Sequence, residues 1–583
     1  MRGIDHFLRL WLLPLGLAAW QIVLGLRLCD LHLGNHSKIS RDWERVLVAR
    51  RGTIYDRNGR QNPRAFSVPG RLVFLDPQTL DARHDPVAIA KRVAWEVDRP
   101  VDDVLRHLQR TDSRYIRMGL SFSESALDLV TNKTFYSGVG MEDTVSRRYP
   151  LGNRMAHVLG FVNHGGVGSA GLEQRYDSYL QGTPGYIKGE VDARRREIHA
   201  RRQAHVKPID GASVHLTLDQ NIQHVVELEL DDVMIRHQAS AAWCIVQRVG
   251  TGEILAMAAR PGFTPAQYNE YSCDLWRNPN IGVVFEPGST MKSMIVAAAL
   301  NEGIITMDTL FDAGPGSWFY GGRVLRDHVQ GMVDVPTVLK KSSNIGAAKI
   351  ALMLGNRRME CYLRAFGFGA PTGIDLPGEE GGILAKAANW NVLSPTRIAI
   401  GQGVAVTALQ MLGAYCAIAN DGRLMRPYVV SRVVASNGDV LLRNEPRVVA
   451  RPIRPEIAAT LRHLLTGIVT DAGTGRRADI AGYRVAGKTG TAQMPVPGGY
   501  SNTDFWASFV GFVPAQEPEF GVIVVVEKPQ PLHGGGVVAA PVFANIARVV
   551  AQYLELPVKV PADDSIPGNA ITQAPVEARH LAW

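Results

Sequence analysis

Between Arg9 and Arg27 the chain runs for 17 residues, Leu10 to Leu26, without one formal charge. As a helix rising about 1.5 Å per residue this run spans roughly 25 Å, within the range of a bilayer crossing. Arg9 and Arg27 can snorkel outward at its ends, and Trp11 and Trp20 suit the membrane interface. A cleaved signal peptide needs a small-x-small site after the apolar run, and none follows. Leu28, just before Cys29, is also too large for a lipoprotein site. The run is therefore read as an uncleaved anchor over 10–28. Arg2, Arg9 and the terminal amine favour a cytoplasmic tail over 1–9. No comparable run is evident further on, so the remaining residues are expected outside the cytoplasmic membrane.

That remainder has globular composition. Of the 583 residues, 46% are apolar and 20% charged, and the mean hydropathy is -0.03. These values exclude wholesale disorder and a polytopic membrane protein. A net charge of +8 permits contact with an anionic surface without predicting nucleic-acid binding. Cysteines 29, 244, 273, 361 and 416 form no C-x-x-C pair, which argues against a zinc site or a disulfide framework, and they are read as core residues. None of the 16 histidines sits in a metal-binding spacing, so no metal or cofactor is expected.

Two textures follow the anchor. From Asp30 to about His215 the chain is polar and rich in arginine. Its most basic stretch, Val191 to Lys207, carries six Arg or Lys against two acids and reads as a solvated strand and loop. A contact with anionic lipid or a partner protein is the sharper alternative. Gly166 to Gly171 matches G-x-G-x-x-G, but no second apolar strand ending in an acid follows, so these glycines are read as a turn. From about Leu216 apolar runs begin. Ala241 to Val249 and Glu253 to Ala259 read as a hairpin around Gly250-Thr251-Gly252. Helices are expected over Thr290 to Asn301, Val335 to Leu354 and Thr407 to Ala419. Strands are expected over Tyr483 to Ala486, Trp506 to Val513 and Phe520 to Glu527, then a closing helix over Ala540 to Leu554. Strands at both ends with helices between them predict one unit around an antiparallel sheet. Residues 557–583 read as a flexible tail.

Three short motifs carry chemistry. Ser289-Thr290-Met291-Lys292 follows Pro287-Gly288 and opens an apolar helix, so the Ser289 hydroxyl and the Lys292 amine, three residues apart, are predicted side by side. A serine is a weak nucleophile until a base takes its proton, and a lysine is that base only when burial or a nearby cation lowers its pKa. Ser342-Ser343-Asn344 begins 53 residues after Ser289, and Lys488-Thr489-Gly490-Thr491 begins 146 residues after Ser342. Lys488 offers the cation that Lys292 needs. Gly490 leaves room for a substrate against the strand, and Thr489 and Thr491 offer hydroxyls to a carboxylate. The motifs straddle about 200 residues, so this unit cannot be divided at the common domain size of about 150.

The ordered triple S-x-x-K, S-x-N, K-T-G is the signature set of penicillin-recognising serine enzymes. The chain resembles the class B penicillin-binding proteins over nearly its whole length. Arg51 to Gly59, Arg148-Tyr149-Pro150 and Gly171 to Tyr176 look like that family's pedestal motifs. Glu286 within Phe285 to Ser289, Tyr483 to Ala486, Tyr500, Phe505-Trp506-Ala507 and Pro541-Val542-Phe543 lean toward its septal, cell-division branch. The resemblance implies an α+β multidomain protein: an N-terminal transmembrane helix, a mixed α/β pedestal (dimerisation) domain over 29–215, and a transpeptidase domain over 216–556 with a central antiparallel sheet flanked by helices. It implies a D,D-transpeptidase that cross-links peptidoglycan stem peptides, with D-Ala-D-Ala as donor and an amine as acceptor. Ser289 would be the nucleophile and Lys292 the base. Ser342 would shuttle the proton, Lys488 would tune the network, and Asn344 would hold the donor backbone. Thr489, Gly490 and Thr491 would bind substrate, and the N–H groups of Ser289 and Thr491 would form the oxyanion hole. β-Lactams, the cytoplasmic membrane, a glycosyltransferase and other division proteins are the implied partners, with the catalytic domain on the extracytoplasmic side.

The sequence departs from the family pattern at Arg60 to Arg64, where a Leu-Ala-type run is usual, and at Ser343, where β-lactamases commonly carry Asp. No Glu-x-x-Leu-Asn element places a deacylating water, so inhibition by penicillin is expected rather than its hydrolysis. An elongation-type transpeptidase, a D,D-carboxypeptidase and a non-catalytic scaffold or antibiotic sensor remain as alternatives.

Overall fold

The structure, a computed structural model, describes residues 4–33, 41–59, 63–80, 84–110, 112–132, 136–191 and 197–558. Of the features expected above, the tail beyond 558, the basic residues 192–196 and positions 60–62 lie outside the described residues. The chain forms two compact units: one of Met1–Arg50, Pro69–Val145 and Gly182–Asp210, the other of Arg51–Val68, Ser146–Gln181 and Gly211–Trp583.

The first unit opens with a helix over Ile4–Leu33. It also holds an antiparallel sheet in which Gly185–Val191 lies between Arg41–Leu47 and Ala204–Val206. The helix Pro86–Val97 shows why local sequence suffices there. Asp85 accepts the Val87 N–H, Pro86 opens the first turn, and Asp98 in the left-handed conformation ends the last. Ile89, Ala90, Val93 and Ala94 recur at helical spacing and pack with Val104 and Met118.

The second unit is organised by five antiparallel strands, β1 (Ala241–Arg248), β2 (Ile254–Arg260), β3 (Ala486–Val496), β4 (Gly499–Val513) and β5 (Phe520–Glu527), in the order β2-β1-β5-β4-β3. The expected antiparallel sheet is therefore present. Side chains on a strand alternate between faces, and both faces here are dry. Val522, Val524 and Val526 face a cluster containing Val226, Leu230, Phe543 and Ile546. Ile523 and Val525 face one containing Met294, Leu412 and Tyr415. The covering helices are α1 (Gln220–Arg236) and α6 (Gly535–Tyr553) on one side, and α2 (Lys292–Asn301) and α5 (Ala408–Ala419) on the other. Each such fully buried Val or Ile contributes about 2 kcal/mol of transfer free energy.

The segments 51–68 and 146–181, which belong to the second unit, are joined to each other by a buried charge cluster. Arg51 donates to Glu173 at 2.6 Å and to Asp177 at 2.6 Å, and Arg147 donates to the other Glu173 oxygen at 2.6 Å. Tyr176 donates to the buried Asp375 at 3.0 Å. Arg64, the last residue of the atypical run, pairs with Asp56 at 3.0 Å. The glycine-rich 166–171 forms a turn, as expected, in which Asn163 accepts the Gly165 and Val167 N–H groups.

Several expectations are corrected. The helix expected over Val335 to Leu354 is two helices, α3 (Val335–Lys340) and α4 (Asn344–Leu354), because Ser342 adopts φ 59 and turns the chain between them. The K-T-G strand begins at Ala486, so the motif lies inside β3 and not after a strand over 483–486. A second long apolar run does exist: α6 is long and apolar enough to cross a membrane by composition, but Val538, Phe543, Ile546 and Val550 are packed into the core. Cys244 and Cys416 are buried as expected, whereas Cys29, Cys273 and Cys361 are exposed.

Candidate active site

A glycine places Ser289. Gly288 sits at φ 58 with its α-carbon against the Thr491 carbonyl, and a side chain there would lie 3.0 Å from that oxygen. The chain then enters a single 3-10 turn, Gly288–Met291, that leads into α2. Thr290 Oγ1 donates to the Pro287 carbonyl at 2.9 Å, and the Tyr415 hydroxyl donates to the Thr290 carbonyl at 2.9 Å. The turn is thereby pinned from within. Ser289 is half-buried and lines a cleft of about 470 Å³, shared with Ser342, Thr489 and Thr491. Its hydroxyl makes no hydrogen bond among the described residues.

Lys292 does not pair with Ser289 in this state. Its fully buried Nζ points to the middle motif, 2.6 Å from the Ser342 carbonyl, 2.7 Å from Asn344 Oδ1 and 3.1 Å from Ser342 Oγ. Lys488 approaches the same hydroxyl from β3, with Nζ 3.0 Å from Ser342 Oγ. Two buried ammonium groups around one hydroxyl cannot both hold a charge cheaply. Burial lowers the Lys488 pKa to about 7. Burial, then the charge of Lys488, holds Lys292 well below the usual lysine range against the opposing pull of Asp327. Lys292 Nζ donates to the Ser342 carbonyl, to Asn344 Oδ1 and to Ser342 Oγ. Lys488 then donates to the Ser342 oxygen.

The left-handed Ser342 that makes this possible is held through the residue after it. Ser343 caps α4 by accepting the Gly346 N–H at 3.0 Å, and it donates to Asp327 at 2.5 Å. Asp327 also accepts the Ile345 N–H at 2.8 Å and the Val329 N–H at 3.1 Å. Burial pushes this carboxyl up, but those hydrogen bonds and the charge of Lys292 outweigh it and leave it below the usual carboxylate range.

On the facing strand, Thr489 Oγ1 lies 2.9 Å from Thr474 Oγ1, and Thr491 Oγ1 accepts the Gly535 N–H at 3.0 Å. Gly490 is required by packing. A Cβ there would overlap the Ser508 hydroxyl and lie 2.9 Å from the Pro287 carbonyl oxygen. Strand β3 and the nucleophile turn thus touch through glycine on both sides. Among the described residues no cluster of His, Cys, Asp or Glu is arranged to hold a metal.

Sequence reasoning missed several neighbours of this site. Asp327 had no motif to mark it. Glu286 entered only as a mark of the septal branch, yet its Oε1 accepts the Gly403 N–H at 2.8 Å and the Tyr500 O–H at 3.2 Å. It ties the β3–β4 hairpin to the residues just before Ser289. Burial raises its pKa, and burial with the Glu286 charge pushes Tyr500 up to about 12. Thr474, Arg476 and Arg477 also line the cleft. The doublet Arg476-Arg477 was the available signal.

The chain matches the penicillin binding protein transpeptidase domain over residues 242–548 and the penicillin-binding protein dimerisation domain over 46–216. It belongs to the penicillin-binding protein transpeptidase family. Within that family it is 32% identical over 529 residues to stage V sporulation protein D of Bacillus subtilis (strain 168), spanning 87% of this chain and 79% of that protein. It is 30% identical over 518 residues to peptidoglycan D,D-transpeptidase FtsI of Escherichia coli (strain K12), spanning 87% and 84%. Penicillin binding protein 3 of Mycobacterium tuberculosis, solved with aztreonam, superposes with a TM-score of 0.68 at 29% identity, covering 89% of this chain and 99% of that one.

Proposed function

We propose that this protein is a serine-type peptidoglycan D,D-transpeptidase of septal wall synthesis. The observation that carries the reading is the buried Lys292–Ser342–Lys488 cluster, whose Ser342 shares a cleft with Ser289. In this reading Ser289 Oγ attacks the penultimate D-Ala carbonyl and Lys292, neutral beforehand, takes its proton. The tetrahedral oxyanion is received by the backbone N–H groups of Ser289 and Thr491. One such donor is worth about 3 kcal/mol of barrier. Ser342 passes the proton to the departing amine, and the amide C–N bond breaks to leave an acyl-Ser289 ester. Asn344 orients the donor backbone, while Thr489 and Thr491 hold the terminal carboxylate. An acceptor amine then displaces Ser289. β-Lactams acylate the same oxygen, and the chain carries no motif for a deacylating water.

Residues 10–28 are the proposed anchor. Support comes from the helix Ile4–Leu33, on which Leu15, Trp20, Ile22, Val23 and Leu26 are all more than half exposed. Such a surface needs lipid or a partner. The catalytic unit then works on the extracytoplasmic side, with 29–215 as pedestal and 216–556 as transpeptidase. A glycosyltransferase and other division proteins are the proposed partners. The septal assignment rests on Glu286 and Tyr500 and on the likeness to FtsI. Two experiments test the reading. Ser289→Ala should abolish cross-linked product from a pentapeptide donor, and retained product would refute the nucleophile. Depletion should give filaments, and round, swollen cells would refute the septal role.

A further inference from the structure

Ser342 adopts φ 59, a conformation that costs a non-glycine residue about 1–3 kcal/mol and persists only where its surroundings fix it. Asp327 holds the residue after it by accepting the Ser343 hydroxyl at 2.5 Å. His328 holds the residue before it, with Nε2 lying 2.6 Å from the Lys341 carbonyl oxygen. A carbonyl oxygen has no proton to give, so Nε2 carries the hydrogen and donates. Lys341 is the C-cap of α3, where a helix leaves carbonyls without partners of its own, and the imidazole supplies one. The other ring nitrogen, Nδ1, lies 3.6 Å from Asp327 Oδ1. Two adjacent residues, 327 and 328, thus grip Ser343 and Lys341, with Ser342 between them.

The imidazole differs from the carboxylate in where it stands. It lines the cleft, and its side chain is 62% exposed, so it exchanges protons with solvent. Neutral, it makes the Lys341 contact alone. Protonated, it turns a second N–H toward Asp327 and adds an ion pair to the grip. The charged groups around it are Arg326 and Asp327 on its own segment, Lys341 on the turn, Lys292 and Lys488 at the Ser342 hydroxyl, and Arg476 and Arg477 in the same cleft. Asp327 is the one acid among them. Burial brings the Lys488 pKa to about 7, so acid adds positive charge beside the Ser342 turn over the range in which histidines gain theirs. We propose that His328 is a positioning residue for acylation: it fixes the turn that carries Ser342, and its protonation tightens that hold as the medium becomes acidic. This rests on the transpeptidase reading of the site.

The test is the second-order rate of acylation by a fluorescent penicillin, on full-length protein in membranes, for the natural chain, His328→Gln and His328→Ala. It is measured at about pH 8 and about pH 5.5, near the two ends of the range in which histidines titrate. Dividing each variant's rate by the natural rate at the same pH removes the lysine titrations common to all three. Glutamine keeps an N–H donor but gains no charge. His328→Gln should therefore stay within about 1.5-fold at the higher pH and fall behind by about fourfold at the lower, the scale of an exposed ion pair. His328→Ala loses both contacts and should be slower by about fivefold at the higher pH, the scale of one hydrogen bond, and by more at the lower. A residue that only supported the fold would lower the rate alike at both. A His328→Gln deficit no larger in acid, or His328→Ala acylated at the natural rate, overturns the inference. Penicillin labelling of Ser289 in the natural protein is the separate control, since its absence would overturn the transpeptidase reading itself.

Discussion

Replacing Gly490 by alanine tests whether strand β3 and the nucleophile turn are held in register by contact. The added Cβ would overlap the Ser508 hydroxyl and stand 2.9 Å from the Pro287 oxygen and 3.1 Å from Thr290 Cγ2. The hydroxyl is a side-chain end and can rotate away. The Pro287 carbonyl is backbone two residues from Ser289, and an ordinary contact needs about 0.5 Å more. That displacement falls on the residues that carry Ser289, Thr489 and Thr491. A misplacement of about 1 Å costs on the order of 100-fold, so half of it should slow acylation by about tenfold. Overpacking should also cost about 1–3 kcal/mol of stability. The assay is the second-order rate of acylation by a fluorescent penicillin, with thermal denaturation alongside. Ser508→Gly added to Gly490→Ala should recover stability more than rate, because the Pro287 contact remains. Acylation of the single variant at the natural rate would refute the contact argument.

Other outcomes rest on the same geometry. Ser343→Ala removes the α4 cap and one Asp327 partner, and should lower stability by about 2 kcal/mol in denaturant unfolding. The pKa of Lys488 falls from 10.5 to about 7 on folding, so between those values the unfolded chain binds the extra proton. Stability should therefore rise with pH above about 7, by up to about 1.4 kcal/mol per unit from this group, and Lys488→Met should flatten the rise in melts at pH 7 to 9. Glu286→Ala orphans the Gly403 N–H and should reduce penicillin acylation by about tenfold, whereas Glu286→Gln, which still accepts both hydrogen bonds, should stay within about threefold.

How much of this was legible varied with the range of the interactions. Continuously apolar strands such as Phe520–Glu527 declare themselves, because both faces need apolar side chains and β-branched residues supply them. The three motifs also carried their chemical types openly. The break at Ser342 was hidden. Nothing in Lys340 to Asn344 forbids a continuous helix, and the turn is fixed by Asp327, a residue 16 positions upstream that takes the Ser343 hydroxyl. For the same reason the aim of Lys292 could not be read from an i, i+3 rule, since its partners come from the turn at Ser342 and the first residue of α4. The attachment of 51–68 and 146–181 depends on Arg51 meeting Glu173, 122 residues away, and on Tyr176 meeting Asp375, 199 residues away. Cys361 lies on a helix, Asn356–Ala365, whose buried residues are Met359 and Leu363, so its exposure is set by which face found the core.

The central claim is that Ser289 is the atom acylated, with Lys292, Ser342 and Lys488 arranged to activate it. Its most direct measurement is the mass-spectrometric position of the penicilloyl adduct after limited labelling of the intact protein. The adduct should map to Ser289 and disappear in Ser289→Ala. An adduct on Ser342, on Thr491 or on any other residue of the natural protein would contradict the account.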